Sequence, residues 1–237
     1  AASDVYKRQG HYRLTRKGAV LIGLPGVTAL IEHHKILYQD LLNPVGFFKG
    51  VEETQLSKFW PYVFGGGMDL KSSEVEKYSD LMSESQHLVA ADTLAAVNIP
   101  SVCRFLDVGG GKGTFVSELK KIHPKVDAAV FDLPGSHSEN SGHRCIIGSF
   151  KEDELPAGYD IISLVRILYD HRDETIRDLL GKTYSALDKG GRLIVSEPML
   201  GADRPTLWGD VYFAMYTLAM STGKTRSPDQ VSGFILS

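Results

Sequence analysis

The sequence is poor in cysteine. It has two, Cys103 and Cys145, far apart and not in a C-x-x-C pair. That excludes a disulfide-stapled scaffold and points to free thiols in a reducing compartment, with the cytoplasm as the expected location. Long apolar runs are also missing. The longest uncharged stretches, 18–31 and 211–223, fall short of the about 20 residues that a membrane-spanning helix needs, and Pro25 interrupts the first. Neither sign of charge dominates: 26 basic residues face 29 acidic ones, for a net charge of −3. A non-specific nucleic-acid binder needs a basic surplus, so nucleic acid is not an expected partner. Metal-ligand spacing is absent too. His33 and His34 are adjacent and so point to different sides of a helix, and His137 and His143 merely flank a polar loop.

What remains is a globular profile. The 237 residues are 43% hydrophobic, 23% charged and 9% aromatic, enough for one sizeable α/β domain or for one domain with a fragment of another. Both ends read as cut. There is no initiating Met, and residues 1–9 contain DVYKRQ, which resembles a translated sequencing adapter and is set aside from fold reasoning. The far end stops in FILS, shortly after a helix start at Ser227-Pro228-Asp229.

Residues 10–18 (GHYRLTRKG) suit the last strand of a small upstream module. Residues 19–99 read as a helical segment. Val27, Leu30, Ile31, Leu37 and Leu41 recur at helical spacing, an aromatic stretch from Phe47 to Phe64 leads into Gly65-Gly66-Gly67, and a long helix over 72–97 ends at Asn98-Ile99-Pro100. From residue 100 to 237 the pattern changes to short apolar strands alternating with helices. Strands are expected over 102–108, 126–131, 144–147, 160–168 and 192–196, and helices over 114–122, 173–187 and 207–220. This is an α/β, Rossmann-like arrangement: a parallel sheet with helices on both faces, whose ligands bind at the carboxyl ends of the strands.

Two chemical signals fall at such ends. Asp107-Val108-Gly109-Gly110-Gly111-Lys112-Gly113 closes the first strand with glycines that allow a tight turn and close approach of a ligand. The dinucleotide fingerprint G-x-G-x-x-G fails, because it needs glycine where Thr114 or Val116 stands. The phosphate loop G-x-x-x-x-G-K-[ST] fails because Gly113 follows Lys112. An acidic residue opening the loop suits a cationic ligand and would repel a pyrophosphate. The second signal is Asp132, in Phe131-Asp132-Leu133-Pro134, about 20 positions on, where a carboxylate can accept hydrogen bonds from both hydroxyls of a ribose.

With FLDVGGGKG (105–113), FDLP (131–134), GSF (148–150), VRILYDHRDE (165–174), LDKGGRLIVSEP (187–198) and GKTRS (223–227), the chain resembles the class I S-adenosyl-L-methionine-dependent O-methyltransferases of the acetylserotonin/caffeate type. The resemblance implies a winged-helix dimerisation domain upstream, of which YRLT (12–15) would be a remnant, a homodimer formed through it, and a C-terminal hairpin beyond residue 237. It implies cofactor contacts at Asp107, Gly109, Gly110, Gly111, Asp132 and Leu133. Ser149 and Phe150 would flank adenine, with Ser149 standing where the family has Asp, and Arg166 replaces a lysine near the cofactor.

The catalytic part departs from the family. Its base is a histidine followed by Asp and Trp, and here the triplet is Tyr169-Asp170-His171. A phenol with a pKa near ~10 is protonated at neutral pH, whereas an imidazole near ~6.5 can accept a proton. If the strand continues, positions 169 and 171 point the same way. His171 is therefore the expected base, Tyr169 would orient the acceptor, and Asp170 or Asp173 would orient the imidazole. The alternative is that His171 packs on the adenine. Glu197 matches a family glutamate that orients the base, and Thr225 replaces a second. VRILYDH and the segment 196–227 are similar to a narrower group, the bacterial carotenoid O-methyltransferases of the hydroxyneurosporene/demethylspheroidene type. That similarity implies a small hydrophobic hydroxylated acceptor, the alcohol of an acyclic carotenoid. The aromatics of 47–64 and Met68, Met82, Met199, Met215 and Met220 are candidates to line its tunnel, and so apolar an acceptor would hold the protein near a membrane surface without an anchor. A phenol or indole acceptor, or cofactor binding without catalysis, are the other readings of the same motifs.

Overall fold

Short unbroken apolar runs suit strands buried on both faces, and a computed structural model bears this out. It describes residues 5–8, 10–23, 25–51, 53–59, 72–134, 136, 142–201 and 203–236. Five strands form one parallel sheet: β3 (Arg104–Val108), β4 (Asp127–Asp132), β5 (Arg144–Ile147), β6 (Tyr159–Val165) and β7 (Leu187–Ser196), ordered β5-β4-β3-β6-β7. An antiparallel hairpin of β1 (Val5–Arg8) and β2 (His11–Leu14) precedes it, so part of the stretch set aside as adapter is paired strand.

The two-residue period of a strand sorts the core into two layers. Leu106, Val108, Ala129, Phe131, Ile162 and Leu164 point to the face covered by α7 (Asp173–Ala186) and α9 (Pro228–Leu236). Phe105, Ala128, Val130, Ile161 and Val165 point to the other face, against α5 (Ser72–Ala96) and α6 (Thr114–Ile122). The Val, Leu, Ile and Phe side chains among these each contribute about 1.5–3 kcal/mol on burial, so both layers hold the sheet. Because β4 and β5 lie on one side of β3 and β6 and β7 on the other, the chain reverses its winding between β3 and β6. A crevice opens at that point.

A third cluster lies apart from the sheet. Helices α2 (Pro25–Asp40), α3 (Pro44–Lys49) and α4 (Gln55–Phe59) follow α1 (Arg16–Gly23). Leu37, Phe47 and Leu56 from this group pack with Tyr169 and with Tyr216 and Met220 of α8 (Ala214–Met220). Met82 joins this cluster, whereas Met199 packs against the sheet core. Trp60, Tyr62, Phe64, the glycines 65–67, Met68 and His137 lie outside the described residues.

Three expectations are corrected. The strand expected over 160–168 ends at Val165: Arg166 takes φ 60°, and Leu168–Asp170 form a 3₁₀ turn. The glycines at 190 and 191, expected to precede the last strand, lie within it. Between Tyr159 and Ile161 of β6, β7 advances from Leu187 to Arg192, a bulge in which Gly190 has φ 80°. The helix expected over 207–220 begins as a π-helix, Leu207–Phe213, capped by Thr206. Among the described residues no single helix is long and apolar enough to cross a membrane.

Candidate active site

The loop after β3 is shaped by backbone. Gly109 and Gly111 have φ of 70° and 56°, where residues with a Cβ are strained. A Cβ on Gly111 would meet nothing within 4 Å, so this turn opens onto free space, while one on Gly110 would lie 2.4 Å from Asp107 Oδ2. Asp132 ties the loop to the end of β4. Its Oδ2 accepts from Gly111 N at 2.6 Å and its Oδ1 from Leu133 N at 2.6 Å. A carboxylate offers about four lone-pair sites, more than these two bonds use.

Asp107 is 1% exposed. Its Oδ1 accepts from Ser163 Oγ at 2.6 Å, and its Oδ2 has no partner. Burial pushes its carboxyl up to about 7; the Ser163 bond opposes this and the charge of Asp132 adds to it. A buried carboxylate oxygen without a donor, beside a glycine turn facing open space, is a place for a cationic group.

On the β5 side, Ser149 N donates to Asp153 Oδ2 at 2.8 Å and fixes the turn that presents Phe150. The Phe150 ring stands edge-on to His171, with centroids 5.3 Å apart. Burial, then the charges of Lys151 and Arg226, push His171 down to about 4, so its ring is neutral at neutral pH.

Between these walls lies the turn 167–171, held by its backbone. Glu197 Oε1 accepts from Ile167 N and Leu168 N, both at 2.7 Å, and Oε2 from Tyr169 N at 3.4 Å. Burial pushes Glu197 up to about 7 against these bonds. From the other end Arg226, 4% exposed, donates to the carbonyls of Leu168 (3.1 Å), His171 (2.9 Å) and Lys224 (2.8 Å) and to Asp173 Oδ1 (2.6 Å). Asp170 is buried with Oδ1 unpartnered. Desolvation and then Glu197 raise it well above the usual carboxylate range, while Arg166 and a bond to Tyr169 oppose this.

The family model for the O-methyltransferase domain matches residues 38–236. The chain belongs to that family. It is 45% identical over 228 residues to demethylspheroidene O-methyltransferase of Rhodobacter capsulatus, covering 94% of this chain and 58% of that protein. It is 43% identical over 236 residues to the protein of the same name from Cereibacter sphaeroides, covering 95% and 62%. The chain thus spans about 60% of the length of these curated relatives. Human N-acetylserotonin methyltransferase, solved with SAM, shares the fold at a TM-score of 0.68 and 22% identity, over 98% of this chain and 71% of that one. A calicheamicin-biosynthesis methyltransferase, solved with SAH, does so at 0.74 and 21%, over 98% and 72%.

Within this O-methyltransferase domain the structure brings together Asp107, Gly109, Gly110, Gly111, Asp132 and Leu133 as one wall and Ser149, Phe150 and His171 as another. Arg166 donates from its guanidinium to Ser85 Oγ (2.8 Å) and Gln86 Oε1 (3.3 Å) on α5. The strand geometry that would have aimed Tyr169 and His171 alike does not exist, because the strand ends before them. Tyr169 packs into the helical cluster, 6.1 Å from Phe213, while His171 faces Phe150. Asp173 orients no imidazole; it pairs with Arg226. Sequence reasoning misses Arg226, although it lies in GKTRS, where a buried arginine among turn residues signals bonds to backbone carbonyls. It also misses His33, which sits beside His34 without metal spacing and gives no sequence signal of its contact to Tyr216.

Proposed function

We propose that this protein is an S-adenosyl-L-methionine-dependent O-methyltransferase acting on the hydroxyl of an acyclic carotenoid. The observation that carries the cofactor half is the unpartnered buried Asp107 Oδ2 beside a glycine turn that opens onto space, with Asp132 at the next strand end. These residues fit the cofactor's chemistry. Asp107 would take its cationic methionyl end, Asp132 would accept from the ribose hydroxyls, and Phe150 and His171 would lie beside the adenine. When bound, the cofactor supplies an electrophilic methyl group on a sulfonium centre.

This chain's residues do the rest by placement. Glu197 and Arg226 fix the turn that carries Tyr169. Tyr169, Phe213, Tyr216 and Met220 give the acceptor an apolar, aromatic surround, which suits a polyene with one alcohol. Identity to the two demethylspheroidene O-methyltransferases supports that acceptor class. The reading includes a homodimer, a cytoplasmic location and a peripheral place at a membrane surface, where so apolar a substrate resides. The experiment is twofold. Calorimetry measures binding of the cofactor, and labelled methyl donor is then offered with a hydroxylated acyclic carotenoid, a phenol or an indole. Labelled carotenoid ether is expected. Labelled phenol or indole alone would replace the acceptor class, and tight binding with no transfer would leave a cofactor-binding protein.

A further inference from the structure

The helical cluster contains a histidine where packing alone would take an apolar side chain. His33 on α2 is 7% exposed, and its Nε2 lies 2.8 Å from Tyr216 Oη on α8, 183 residues away in sequence. Tyr216, itself 4% exposed, belongs to the same buried cluster as Tyr169. The Phe213 ring stands 6.1 Å from both of them. Among the described residues, the charges that act on His33 are His34 on the same helix, 5.9 Å ring to ring from Tyr216, and Arg166 just after β6. Burial first, then His34 and Arg166, push His33 down to about 4, so its imidazole is neutral at neutral pH. An aliphatic alcohol, unlike a phenol, holds its proton until attack is under way and needs a positioned acceptor for it. His171 stands at the other wall, against Phe150, and the Tyr169 side chain is bonded to Asp170, whose carboxyl burial holds well above its ordinary range.

We propose that Tyr216 and His33 together take up the proton of the acceptor hydroxyl, replacing the histidine absent at position 169. The inference rests on the O-methyltransferase reading above. As the alcohol oxygen bonds to the methyl carbon and that carbon's bond to sulfur breaks, the hydroxyl proton passes to Tyr216 Oη. The proton of Tyr216 passes to His33 Nε2 in the same event. The products are a methyl ether, a neutral thioether and an imidazolium, so atoms and charge balance. The imidazolium then returns its proton to water, and the nearby charge of Arg166 favours that release. Tyr216 is the catalytic residue of the pair, and His33 acts through it.

The test uses His33→Ala, His33→Gln and Tyr216→Phe in the purified protein. Methylation of a hydroxylated acyclic carotenoid is expected to slow by about 100-fold or more in kcat for each variant, with KM and cofactor affinity within about 2-fold. Added imidazole is expected to restore His33→Ala by at least about 10-fold and to leave His33→Gln, whose site is filled, unchanged. In the cofactor-free protein, Tyr216→Phe is expected to shift the His33 ring nitrogen resonances, since it removes their hydrogen-bond partner. If His33→Ala does not fold, His33→Gln carries the test, because it retains a polar contact to Tyr216 but takes up no proton. A His33→Gln enzyme with kcat within about 3-fold of the parent overturns the pair, as do imidazole-insensitive His33→Ala and unmoved His33 resonances. A parent protein that binds no cofactor or methylates no hydroxyl overturns the function proposed above instead, and this step with it.

Discussion

Two regions meet at the end of β6, and they are built on different principles. On the sheet side, the walls are backbone and short acidic side chains at consecutive strand ends: the turn 109–111, Asp107 and Asp132. On the helical side, His33, Met82, Tyr169, Phe213 and Tyr216 arrive from four separate segments and meet through their side chains. The first region fixes its ligand groups by main-chain geometry, so few residue types serve. The second is a contact surface of side chains, where residues exchange without disturbing the fold. The departures from the family pattern fall on both sides, at 149, 166 and 171 as well as at 169 and 225, and spare the glycine loop.

Arg226→Ala is the sharpest way to break that contrast. It removes one buried cation that bonds Asp173 and the carbonyls of Leu168, His171 and Lys224, and a loss of about 3–5 kcal/mol is expected, read as a lower urea midpoint. An unchanged midpoint would mean that the turn between the two regions is not held from its C-terminal end. Next in size is Asp132→Ala, which removes two charge-assisted acceptors for a ribose and the tie to Gly111. Cofactor affinity is expected to fall by about 100-fold or more, by calorimetry, with carotenoid KM unmoved.

Asp107→Asn separates binding from stability. Burial holds the folded-state carboxyl near 7, above its ordinary value of 3.8. The folded state therefore binds the proton more tightly than the unfolded one. This favours the cofactor-free fold at acid pH and is lost as pH rises through about 7. The amide carries no such charge. Relative to the parent, the cofactor-free variant is expected to gain about 5–10 °C in Tm between about pH 5 and about pH 8, while its cofactor affinity falls. A pH-independent difference in Tm between variant and parent would remove Asp107 as the titrating group. Smallest is Tyr169→Phe, which keeps the ring contact to Phe213 and deletes only the hydroxyl. A fall of at most about 10-fold in methyl transfer is expected, and a loss of 100-fold would move the proton transfer back to this residue.

Much of the fold was legible because strand period and turn chemistry are local. The helix 114–122 and strand 144–147 matched the sequence limits, and the glycine loop and Asp132 were identifiable from spacing alone. The strand ending at Val165 was not legible. Ile167 and Leu168 continue the apolar run, and what stops it is the left-handed backbone at Arg166, together with Glu197 drawing three N–H groups inward from about 30 residues away. The π-turns at 207–213 were equally hidden, since their spacing of apolar residues passes for an ordinary helix. The contact between His33 and Tyr216 has no local signature at all. It arises from how α2 and α8 pack, which no window of sequence contains.

The turn 167–171 has a further consequence. Its amides are gripped by one side chain and its carbonyls by another, so its shape owes little to which residues stand at 169 and 171. Such a socket lets evolution swap the reactive group in a single step while the donor seat stays intact. Enzymes sharing this frame are thereby free to move from one kind of hydroxyl to another without first rebuilding their core.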